Sequence, residues 1–152
     1  MNQRILTVLA VALLIAADTP KDDAVKKEAD MLQGTWRVVS AQRDGTDAPQ
    51  DETKKITITI KGDKLTARRT ENADKPEEKV YEMFFTLDPN QKPKWIDVTY
   101  MDGERKGESS QGIYELNGDT LKICVSRGNT RPTEFETKAD SQRHLMVLKR
   151  GK

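Results

Sequence analysis

One histidine, His144, and one cysteine, Cys124, stand among 152 residues, and this narrow supply bounds the chemistry the chain can offer. A first-row metal takes two or three nitrogen or sulfur ligands, so a lone Cys and a lone His make no metal site. His144 falls in the strand-like run "RHLMVLKR", where a histidine facing solvent or hydrogen-bonded at a rim is expected. Ser109 and Ser110 sit in a loop-like stretch with neither a Gly-x-Ser-x-Gly elbow nor a neighbouring histidine to activate them. Charged residues make up 34% of the chain, so acidic clusters such as "PEEK" and "DGE" follow from composition alone. The sequence assigns no catalytic residue and no cofactor.

Two places suit binding better than catalysis. Asp97 alternates with Trp95 and Thr99 on one face of "WIDVTYMDG", with Ile96 and Val98 on the other. An inward Asp97 would anchor a ligand; an outward one would leave Ile96 and Val98 in the core. In "TRPTEF", Pro132 fixes a turn between Arg131 and Phe135. Arg131 at a rim would hold an anionic group, and Phe135 tucked under one end would act as a plug.

The elements that must position these residues are strands. "KITITIKGD" alternates Ile56, Ile58 and Ile60 with Thr57 and Thr59 before a turn at Gly62, and "KLTARRT" reads as its hairpin partner. "KVYEMFFTL", "WIDVTYMDG", "GIYELNGD", "TLKICVSRG" and "RHLMVLKR" follow, with the opening run "TWRVVSAQR" making eight. Gly118, at the tip of "GIYELNGDTLKICV", supplies the positive φ that a tight hairpin turn needs. Crossover helices are missing, which excludes a parallel sheet. The expectation is an all-β, up-and-down antiparallel barrel of eight strands, with a two-sheet sandwich as the rival. Parity from Trp36 puts Val38 and Ser40 inside, with Ile58, Met83, Phe85, Tyr114 and Ile123 from the other strands. Such a lining either fills an eight-stranded barrel or leaves room for one small apolar ligand.

The length suits one domain. Residues 1–17 read as a secretory signal peptide: Arg4, then the uncharged run "ILTVLAVALLIAA" ending in small residues. As a helix its 13 residues would span about 20 Å of a hydrocarbon core about 30 Å thick, too short for a comfortable crossing. Its removal takes only Arg4 from 26 basic residues, leaving them level with the 25 acidic ones. Interleaved charges without a basic excess argue against a nucleic-acid partner. Residues 18–33 read as a short helix stopped by Gly34, and 34–152 as the barrel domain. With a single Cys124 no internal disulfide forms, and that thiol is either buried or free to join two chains.

Gly34-x-Trp36 at the head of the first strand resembles the signature of the lipocalin and calycin barrels. The resemblance implies a Trp packed across the closed end, with an Arg from the far end of the chain, here Arg150, lying over it. "LDPNQKPKWIDVT", "GIYELNGDTLKICV", "TRPTEF" and "LMVLKR" are similar to successive blocks of an uncharacterised family of small exported lipocalin-like domains found mainly in planctomycete bacteria. That likeness runs from Leu32 to Arg150 and implies a lipocalin-like fold and an exported location. The expected function is non-enzymatic binding of a small apolar or amphipathic ligand at Val38, Ile58, Met83, Phe85, Asp97, Tyr114, Ile123 and Arg131. A filled barrel serving as an interaction or envelope scaffold is the alternative.

Overall fold

A computed structural model describes residues 20–72 and 75–151, with the side chains of 71–78 left aside. The expected signal peptide, residues 1–17, lies outside the described residues. Helix α1 (Pro20–Leu32) comes first, with Asp22 and Asp23 in its opening turn, where carboxylates suit the positive end of the helix dipole. Nine strands follow among the described residues: β1 (Gly34–Arg43), β2 (Thr46–Asp47), β3 (Ile56–Lys61), β4 (Lys64–Asn72), β5 (Lys75–Asp88), β6 (Lys94–Tyr100), β7 (Ser109–Asn117), β8 (Thr120–Ser126) and β9 (Arg143–Arg150). A short helix, α2 (Gln50–Thr53), precedes β3.

Every neighbouring pair from β3 to β9 is antiparallel, and β9 returns to pair with β1 from Trp36↔Arg150 to Arg43↔His144. Together with the β1–β3 pairing, this closes an eight-stranded barrel, so the sandwich is ruled out. Closure pairs each barrel strand on both sides over part of its length, which removes the long open edges of a flat sheet.

The strand β1 touches β3 only through Gly34–Arg37; farther on, the two-residue β2 takes over at Gln42 and Arg43. Between those contacts the wall parts, and α2 packs over the slot through its own buried Thr53. The register of β1 on β9 also slips between Val38 and Ser40. This bulge overturns simple parity: Ser40 turns outward and is exposed, and Ala41 takes the buried position.

Helix α1 seals one end of the barrel. Its last carbonyls lack helical partners and are met by side chains from the barrel. Trp36 Nε1 donates to the Leu32 carbonyl at 2.9 Å, and Arg150 donates to the Met31 and Gln33 carbonyls at 2.8 Å each. The Arg150 guanidinium lies 4.3 Å from the Trp36 ring centre. Gln33 adds a clasp, accepting from the Gly62 N–H at 2.7 Å and donating to the Gly62 carbonyl at 3.0 Å. No helix among the described residues is long and apolar enough to cross a membrane.

Candidate functional site

Above this sealed floor, the apolar residues expected to line a pocket divide by depth. Trp36, Val38, Ile58, Phe85, Tyr114 and Ile123 all face inward and are buried against one another and against Ile60, Leu65, Leu121 and Leu148. A water-sized void beside them would register as exposure, yet Trp36 and Leu148 are both 0% exposed. The lower barrel is filled. Tyr114 is tied down further by its hydroxyl, which donates to Glu28 Oε2 on α1 at 3.1 Å, while Lys94 pairs with the same carboxylate. Burial, together with the Glu28 carboxylate, pushes the Tyr114 phenol above its ordinary range, so it stays a neutral donor.

Toward the other end the inner face loosens. Ile56, Ala67, Met83 and Met146 pack on the core but keep part of their surface open. Tyr81, paired with Ala67 on the same inner face, is 46% exposed. Tyr100 pairs with Met83 across β5 and β6, with the Arg105 guanidinium 4.1 Å from its ring centre. Of the apolar residues named from the sequence, Met83 alone reaches this open rim.

The rim itself carries charge. Val125, His144 and Arg43 form one cross-strand row over β8, β9 and β1, and Arg127 follows two residues beyond Val125. The strand period puts Arg43 and His144 on the inner face at the mouth, and Arg127 stands in the bend just past β8, its backbone N–H donating to the Gln142 carbonyl at 2.9 Å. Burial, reinforced by the Arg43 and Arg127 charges and opposed by Asp44, holds the His144 imidazole down at about 4. It is therefore neutral at physiological pH.

Asp97 and Arg131 lie on the outer wall instead of the interior, correcting both as pocket residues. Ile96 and Val98 take the core face of β6, which leaves Asp97 outside. The β8–β9 loop, residues 127–142, folds back over that wall. Arg131 Nη1 sits 2.6 Å from Asp97 Oδ1 and donates to the Gly112 carbonyl at 2.6 Å, while Nη2 donates to Oδ2 at 3.1 Å. The same guanidinium stacks 4.2 Å from the Trp95 ring centre. Phe135 is corrected too: it is half-buried on the outside near Lys122, 5.9 Å from its ammonium, and plugs neither end.

Sequence reasoning missed why the loop takes this path. Ile113, Cys124 and Leu145 form an outward-facing row on β7, β8 and β9, and the loop covers it with Pro132 buried above. That apolar row on the wrong parity was the available signal. Cys124 is fully buried there, and burial raises its thiol above the ordinary range.

Recesses on the described surface include two on the outside of the barrel. One, of about 440 Å³, lies beside α1 and is bordered by Glu28, Met31, Lys94, Leu116 and Arg150. The other, of about 490 Å³, lies between the β5–β6 turn and the β8–β9 loop, against Trp95, Pro93, Gln111 and Arg131. No group of three or more potential metal ligands occurs among the described residues.

No curated protein matches the chain. Residues 32–141, from the end of α1 to the last turns before β9, match the profile of the lipocalin-like domain. With most of the sequence matched, and with a closed antiparallel barrel floored by Trp36, the chain belongs to the lipocalin-like domain family.

Proposed function

We propose that this protein is a non-enzymatic, extracytoplasmic binding module that takes a small apolar or amphipathic molecule into the open end of its barrel. One observation carries the reading: a half-exposed apolar ring of Ile56, Ala67, Met83 and Met146, with exposed Tyr81 beside it, above a filled floor. Apolar surface kept partly wet on the concave side of a barrel gains when a ligand covers it. The seat is shallow, because the floor residues leave no space below. Export is supported by the signal-peptide pattern of residues 1–17 and by the likeness to exported planctomycete domains.

The test is native mass spectrometry of protein purified from the exported fraction, followed by titration with a hydrophobic fluorescent dye. The expected results are a chain lacking its first 17 or so residues and saturable dye binding that Met83→Asp weakens at least about tenfold. An unprocessed chain would refute export. Dye binding that is absent, or indifferent to Met83→Asp in a folded variant, would refute the seat.

A second reading, a filled barrel acting as a scaffold, draws on Phe84 and Trp95, which are 43% and 37% exposed on the outer wall. It predicts a ligand-free mass and loss of a protein partner on Phe84→Ser or Trp95→Ser.

A further inference from the structure

We infer that the open end is an anion site, in which Arg43 and Arg127 receive the acidic head group of an amphipathic ligand whose tail lies on Met146. The inference rests on the binding reading above and names the ligand class for it.

Three adjacent strands carry the argument. On their inner faces β1 runs Val38, Ala41, Arg43; β9 runs Leu148, Met146, His144; and β8 runs Ile123, Val125, with Arg127 just beyond. Each column passes from buried apolar residues to a nitrogen base at the mouth. Arg43 and Arg127 are exposed, and neither has a carboxylate within salt-bridge distance among the described residues. Four arginines elsewhere are ion-paired, Arg69 with Glu52, Arg105 with Glu108, Arg131 with Asp97 and Arg150 with Asp119, whereas Arg37 and Arg143 share the rim pair's lack of a carboxylate within salt-bridge distance among the described residues. What sets Arg43 and Arg127 apart is their place: they flank the mouth at the ends of the two strands on either side of β9, whereas Arg37 lies toward the sealed end.

The two arginines flank one spot: Arg43 pairs with His144 across β1 and β9, and on the other side of β9 the Arg127 backbone N–H donates to the carbonyl of Gln142, two residues before His144, at 2.9 Å. Both charges oppose protonation of His144, and Asp44 favours it. A planar guanidinium with a fixed fork of donors matches a carboxylate or phosphate, and two of them match its negative charge. Neutral His144 adds one hydrogen-bonding nitrogen without further repulsion between cations. Met146 lies next below His144 on the same face, half-exposed, where the first carbons of a tail would rest.

The experiment compares decanoate, decyl phosphate and decanol, three probes with the same tail, by calorimetric titration at neutral pH. An acidic probe is expected to bind about tenfold or more tighter than decanol. Raising salt from about 50 mM to about 500 mM should weaken the acidic probe and spare decanol. Arg43→Gln with Arg127→Gln should abolish the preference and leave decanol binding unchanged. Because His144 is the chain's only histidine, its imidazole proton resonance reports the site directly, and its titration midpoint should rise when the acidic probe is bound. Which acidic probe binds tighter tells a carboxylate site from a phosphate site. Decanol binding equal to both acidic probes, or a preference that survives the double substitution, overturns the anion site alone. Failure of all three probes to bind overturns it together with the binding reading.

Discussion

Removing the indole from the barrel floor tests several structural claims at once. Trp36 is completely buried, caps the Leu32 carbonyl through Nε1 at 2.9 Å, and supports the Arg150 guanidinium at 4.3 Å. Trp36→Ala deletes the largest side chain of the core, a change that costs about 3 to 5 kcal/mol through lost burial and the cavity left behind. The orphaned Leu32 carbonyl adds about 1 kcal/mol, and the lost stacking of Arg150 about 0.5 to 1 kcal/mol. These contributions share partners and do not sum in full, so about 4 to 6 kcal/mol is expected. That approaches the whole stability of a domain this size, about 5 to 15 kcal/mol. Trp36→Phe keeps an aromatic face for Arg150 and much of the volume but loses the cap, for an expected cost of about 1 to 2 kcal/mol.

Urea unfolding followed by circular dichroism measures both variants, and an unchanged slope against urea would keep the comparison valid. Should Trp36→Ala fail to fold, Trp36→Phe still reads the hydrogen bond. A loss below about 1 kcal/mol for Trp36→Ala would refute the account of a filled floor. Equal losses for the two variants would refute the division between packing and capping.

Two further predictions concern the rim and the wall. His144 is held at about 4 against an ordinary 6.5, so the unfolded chain binds its proton first and the folded state loses stability as pH falls from about 6.5 toward 4, then levels off. The loss is about 3 kcal/mol; urea unfolding at stepped pH should show this component vanish in His144→Gln, and a slope unchanged by the substitution would contradict it. On β7, a Cβ at Gly112 would come within 2.7 Å of both the Cys124 carbonyl oxygen and Val125 Cγ1. Gly112→Ala should therefore cost about 1 to 3 kcal/mol and lower Tm by several degrees, and a variant as stable as the parent would show that β7 and β8 can part there without strain.

The strands were readable because a half-buried strand must alternate, and Ile56, Ile58 and Ile60 against Thr57 and Thr59 leave little freedom of interpretation. The eight barrel strands, their antiparallel order and the barrel all follow from that period and from short turns such as the one at Gly118, whose φ is 58°. Parity fails where the backbone breaks period. One extra residue between Val38 and Ser40 turns Ser40 out and Ala41 in, and nothing in "RVVSAQ" announces it. The elements β2 and α2 were invisible for another reason: at two and four residues they are too short to carry a periodic signal, and they exist because β1 and β3 diverge. Asp97 fell outside because Ile96 and Val98 take the core face of β6, and Arg131 because a long loop follows the apolar surface it can bury. Ile113, Cys124 and Leu145 provide that surface on the outer wall.

The two ends of the barrel use arginine in opposite ways, and the contrast bears on function. At the sealed end Arg150 is satisfied: two helix carbonyls, one carboxylate and an aromatic face surround its guanidinium. Nothing remains for it to bind. At the open end Arg43 and Arg127 flank partly exposed Met146 with no carboxylate paired to either among the described residues, and their field depresses the one imidazole near them. A barrel that served only to be filled would gain by ending those three columns in apolar residues or ion pairs, as its opposite end does. Uncompensated positive charge raises the energy of the compact state, and a bound anion removes that cost while its tail covers Met146. An acidic amphiphile should therefore stabilise the protein against unfolding more than a neutral one with the same tail, even where the contacts of the tail are identical.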